Sequence, residues 1–148
     1  MNYYNEIKKE LINNEVYKRV KDYSKNKNDL STYYNVGKLI IEAQGGEDRS
    51  EYGNKLIKIY SDKLKKELGK GYSARNLYNM RLFYLFLMHN NISQPLVAKL
   101  TWTHYTILLS LKDNNKINYY INQIISRNLS KRELQKIIKG NEYERLPD

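Results

Sequence analysis

Residues 69–84 read GKGYSARNLYNMRLFY, and the order of residue types in this stretch decides the fold. Gly69 and Gly71 suit the left-handed backbone that ends a helix. Ser73 follows as a cap whose hydroxyl accepts from the free N–H groups of the next helix. A helix is therefore expected over residues 74–87. The turn before it is only about four or five residues, close to the spacing of a helix-turn-helix, in which the second helix meets DNA. At 100° per residue, Leu77, Met80, Tyr84 and Leu87 share one side of that helix. Arg75, Tyr78 and Asn79 share the other side, at its N-terminal end. Leu82, Leu85 and Phe86 make the C-terminal half apolar all round, which leaves the first turns to face a partner.

Working outward, helical periodicity continues in both directions and period-2 strands are absent. The preceding helix, residues 53–68, buries Leu56, Ile57, Tyr60, Leu64 and Leu68 and turns Lys55, Lys58, Lys63, Lys65 and Lys66 outward. A short helix is expected over residues 4–11 and a long one over 15–44, ended by Gly45 and Gly46, with the polar run at 24–29 as the place where it can break. The long helix offers a packing scaffold or the seam of a homodimer. On the C-terminal side, a piece starts near Pro95, and a helix over 103–111 takes Thr101 or Thr103 as its cap. Another covers 114–127, and Ser130 with Glu133 forms a capping box for a last helix that Gly140 stops. The expected fold is one all-α domain over residues 1–148, a compact multi-helix arrangement containing a helix-turn-helix-like unit.

Composition narrows the chemistry. The chain has no cysteine, which removes disulfides and thiolate metal sites. Its two histidines lack patterned carboxylates, so no metal or cofactor is expected. No apolar run approaches the roughly 20 residues that span a bilayer, and a cytoplasmic protein away from membranes is expected. Charge is lopsided. Residues 1–51 hold nine Lys/Arg and nine Asp/Glu, whereas residues 52–141 hold 16 against 4, a net of +12. Such a basic portion is the footprint of a polyanion binder.

Candidate contacts follow from residue type and position. Arg75 and Arg81 can fork onto guanine edges or phosphates, and Asn76 and Asn79 can pair with adenine. Two of these have structural alternatives: Asn76 bracing the turn, and Arg81 pairing with an acid. The N–H groups after Ser73, with Lys70, form a phosphate site at the helix start. Lys63 and Lys66 lie on the helix that crosses the backbone in such pairs. Thr103 and His104 form a second patch beside Trp102, itself read as core. Lys131 and Arg132, with Lys136 and Lys139, either extend the phosphate track along the last helix or balance its C-terminus. Neither His89 nor His104 has the Ser, Cys or carboxylate company that catalysis needs.

The run Gly71, Tyr72, Ser73, Arg75, Asn76, Leu77, Met80, Arg81, Phe83 and Tyr84 resembles the most recognisable signature of the N-terminal domain of YhcG-like nucleases. Tyr33, Tyr34 (where that family often has Trp), Val36, Gly37 and Ile40 agree with it, as do Tyr52 and Gly53. Leu100, Trp102 and His104 agree too, as do residues 129–134, with Leu129 for the usual Trp, and residues 143–146. The resemblance covers about residues 15–146. In that family a nuclease domain of the PD-(D/E)XK type follows, and this chain is expected to lack it. The one E-x-K triplet, Glu6-Ile7-Lys8, sits in a helical pattern without a strand. The resemblance implies restriction, defence or mobile-element functions. The leading expectation is a nonenzymatic domain that binds duplex DNA and either guides a nuclease subunit supplied in trans or competes with one. The alternative is a phage or mobile-element module that binds and inhibits a host nuclease such as a CRISPR effector.

Overall fold

The computed structural model describes residues 1–20, 25–90 and 97–147, and helix dominates all three stretches, with no strand among the described residues. The chain divides into two compact units, residues 1–92 and 93–148. The sequence was read as one domain across both.

The first unit holds α1 (Tyr3–Val20), α2 (Lys25–Gln44), a 3-10 turn (Glu47–Arg49), α3 (Ser50–Leu68) and α4 (Ala74–Asn90). α2 is the central helix and packs against the other three. Ile7 and Leu11 of α1, Val36 and Ile40 of α2, Ile57 and Leu64 of α3, and Leu77, Met80 and Phe83 of α4 form its core. The N-terminal boundaries differ from expectation. α1 runs straight through Asn13 and Asn14 instead of stopping near Leu11. Tertiary contacts hold that stretch in the helix: the buried Asn14 amide donates to Asp29 at 3.0 Å. Asn35 also donates to Glu10 at 3.4 Å, so α1 and α2 run antiparallel rather than as one helix over 15–44. Packing outweighs the small helix penalty of Asn.

Two glycines mark close approaches. At Gly37 any Cβ would strike the Met80 carbonyl of α4, and at Gly53 it would strike the Gln44 and Arg81 side chains. Both positions belong to the signature residues, and both are glycine because neighbouring groups occupy the space a Cβ needs.

The second unit holds α5 (Trp102–Leu109), α6 (Asn114–Arg127) and α7 (Lys131–Lys139). Val97, Leu100, Tyr105, Leu108, Ile117, Tyr120, Ile124 and Leu134 are buried in it. Thr101 caps α5, Asp113 caps α6, and the Ser130–Glu133 capping box opens α7 as expected. The expected cap and helix start around Pro95 lie outside the described residues. No described helix is long and apolar enough to cross a membrane.

Candidate nucleic-acid interface

The turn between α3 and α4 is built as its sequence predicts. Gly69 and Gly71 take φ of 98° and 106°, and the Gly69 N–H donates to Lys65 O at 3.1 Å. The Ser73 hydroxyl accepts from the Asn76 N–H at 3.1 Å. Two further bonds fix the turn. Ser61 of α3 donates to the Tyr72 carbonyl at 2.7 Å, and the Tyr72 hydroxyl donates to Glu15 of α1 at 2.9 Å. Burial, with Glu15 beside it, pushes that hydroxyl up to about 12.

Arg75 is exposed at the start of α4 and makes no ion pair among the described residues, and Asn79 is half-buried on the same side. Asn76 takes the structural role offered as its alternative. Its side-chain amide donates to the Gly71 carbonyl at 2.9 Å and braces the turn. Arg81 also departs from expectation, as either a DNA contact or the partner of an acid. It is 3 % exposed and is held by neutral acceptors: Gln44 Oε1 at 2.8 Å, the Ser50 carbonyl at 3.5 Å and Asn54 Oδ1. The Tyr78 ring lies 5.2 Å from the guanidinium carbon. Burial lowers the Arg81 pKa, yet a guanidinium stays charged at neutral pH. No residue of the C-terminal half of the expected helix, 81–87, is exposed, and α4 continues past it to the exposed Met88 and His89. His89 lies in the last turn of α4, 2.9 Å from Glu47.

The lysines of α3 divide by side. Lys63 turns toward α1, its Nζ 5.1 Å from the centroid of the Tyr4 ring. Glu67 on the same side accepts from Tyr4 at 2.8 Å and pairs with Lys8, the lysine of the E-x-K triplet. The side facing the turn is set by Ser61, and at helical spacing Asn54, Lys58 and Lys65 share it. All three are exposed on the turn side, and Asn54 lines a hollow with Ala74, Arg75 and Tyr78 of α4. Lys66 is exposed between the two sides, and Lys70 is exposed in the turn. Counting lysines on an outward face missed the division. The signal was the small polar Ser61 within an otherwise apolar stripe.

In the second unit, Thr103 is exposed but His104 is 8 % exposed and fully used. Its Nδ1 accepts from the Thr101 N–H at 3.0 Å, and its Nε2 lies 3.0 Å from the Leu129 carbonyl, which requires a proton on Nε2. Burial holds the imidazole below the usual histidine range, against the raising effect of the Leu129 bond. His104 is thus a capping residue and not a phosphate contact. Lys131, Arg132, Lys136 and Lys139 are exposed along α7. The described acids of this unit are all engaged: Asp113 and Glu133 in caps, Glu142 with Tyr119 and Arg127, Glu144 with Lys116. Charge on α7 is left uncompensated by ion pairs among the described residues. No three of its histidines and carboxylates, or of those in the first unit, converge to hold a metal among the described residues.

An all-helical protein with a glycine-terminated α3, a Ser-capped α4 and a basic flank is the class that these features define. Residues 6–145 match the DUF1016 N-terminal domain, and the chain belongs to that family. It is 33% identical to a protein of Escherichia coli (strain K12) named "Putative nuclease YhcG", over 78% of this chain. The match spans 39% of that relative's length. No solved structure matches the chain.

Proposed function

We propose that this chain is a nonenzymatic, cytoplasmic DNA-binding domain in which α3 and α4 act as a helix-turn-helix-like unit on duplex DNA. The observation that carries the reading is Arg75, exposed and without an ion pair among the described residues at the capped start of α4, with exposed Lys58 and Lys65 on the turn side of α3 and Lys70 in the turn. Residues 52–90 hold only two acids, Asp62 and Glu67, and Glu67 is drawn away to Lys8 and Tyr4. Lysines left without carboxylates release counterions from DNA when they neutralise phosphates, which supplies sequence-independent affinity. Arg75 and Asn79 add base contacts in the major groove. Exposed lysines and Arg132 on α7 supply phosphate contacts of their own. The relative's name points to a nuclease setting, and the domain serves there as a targeting part for a nuclease subunit, within restriction, defence or mobile-element functions.

Gel shifts with duplex DNA, single-stranded DNA and RNA at two salt concentrations test this. Duplex binding that weakens steeply with salt is expected, and Arg75→Ala with Asn79→Ala should flatten its sequence preference. Tight, salt-insensitive capture of one protein, such as a CRISPR effector, without duplex affinity would replace the reading with that of an interaction module.

A further inference from the structure

Asn54, Ile57, Ala74, Arg75 and Tyr78 line an open hollow between α3 and α4. Its wall is backed by the buried Arg81, which donates to Asn54 and has the Tyr78 ring beside it. A guanidinium carries donors only, so the Asn54 atom that meets it is the carbonyl oxygen. The two N–H donors of that amide are what Asn54 has left for the hollow. Accepting from a cation also polarises the amide and strengthens those donors. Arg75 adds a second set of donors from the opposite wall. No carboxylate lines the hollow, and the Arg81 charge behind it is met by neutral acceptors rather than cancelled. The site is therefore one-signed: donors on both walls, with the apolar surfaces of Ile57, Ala74 and Tyr78 between them. A phosphate has no use for that apolar lining. A flat, acceptor-bearing base edge suits both parts.

We propose that this hollow reads the O6 and N7 acceptors of a guanine in the major groove, with Asn54 and Arg75 as the reading residues and Arg81 as the positioning residue that orients Asn54. The inference rests on the duplex-binding reading above and adds a specificity residue from α3, the helix whose expected role is confined to the backbone. Gly53 is part of the device, because a side chain there would displace Arg81 and Gln44.

The test uses the full chain and a randomised duplex pool at low salt, followed by selected duplexes with 7-deazaguanine, which lacks the N7 acceptor, at each preferred guanine. Wild-type protein should prefer guanine at one position and lose about tenfold in affinity when N7 is removed there. Asn54→Asp keeps an acceptor for Arg81, and with it the fold, but exchanges the donors for acceptors. It should erase guanine preference at that position while leaving the rest of the profile intact. Arg81→Lys should blunt the same position, and far-UV circular dichroism confirms that each variant is folded. A merely structural Asn54 would change the melting temperature and leave the base profile alone, which overturns the proposal. So does an equal loss on every sequence with a shallower salt slope, the mark of a phosphate contact. Absence of duplex binding by wild-type protein at any salt would instead remove the underlying reading, and the guanine site with it.

Discussion

Replacing His104 with Ala tests whether this residue is structural. The imidazole accepts from the Thr101 N–H and donates to the Leu129 carbonyl, both at 3.0 Å. Removing it leaves the carbonyl of the buried Leu129 without that donor, a cost of about 1–3 kcal/mol. Thr101 is exposed, so water replaces the ring there and little is added. The expected loss for the second unit is about 2 kcal/mol, and a urea midpoint lower by about 1 M at typical denaturant slopes. Trp102, the single tryptophan, stands two residues away and reports this unit by fluorescence. The pH dependence has a definite sign. Burial lowers the folded pKa below the usual 6.5, so the contribution is complete above pH 6.5. It is lost as pH falls toward the folded value, with a slope of at most about 1.4 kcal/mol per pH unit. His104→Ala should abolish that contribution to the slope below pH 6.5. An unchanged midpoint at pH 7.5, or an identical pH slope in both proteins, would refute the capping role.

Gly53→Ala should lower the melting temperature of the first unit, by overpacking worth about 1–3 kcal/mol, even though alanine favours helix by about 1 kcal/mol; a rise would contradict the close approach to Gln44 and Arg81. Ser130→Ala removes one arm of the α7 capping box and should cost about 1 kcal/mol in a denaturant titration, against no change if the cap is idle.

Much of the fold was legible because helices carry local punctuation. The two glycines and Ser73 fixed the α3–α4 turn, and the Ser130–Glu133 pair fixed the start of α7, each through backbone groups a few residues away. The polar run at 24–29 foreshadowed a break between α1 and α2, but the extent of α1 past Leu11 was illegible, because Asn14 is held by Asp29 on another helix. The candidate site divides in the same way. Arg75 follows from its helical wheel, and Asn76 had a structural alternative that the Gly71 carbonyl fulfils. Arg81 and His104 were misread because residue type advertises a charged or polar contact while burial is decided by distant partners, Gln44 and Asn54 for one, Leu129 for the other. Lys63 lies on the side of α3 that meets the Tyr4 ring of α1, a contact that lysine counting does not announce and that Ser61 marks only by contrast.

The salt dependence of duplex affinity, measured for wild type, Lys58→Ala with Lys65→Ala, and Lys63→Ala, bears most directly on the claim that cations flanking α4 hold DNA. Each lost phosphate contact should shift the slope of log K against log salt by about 0.9, so the double variant should be shallower by nearly two. Lys63→Ala should leave the slope in place, since that side chain is committed to Tyr4. No duplex binding at low salt, or equal effects from both sides of α3, would contradict the account.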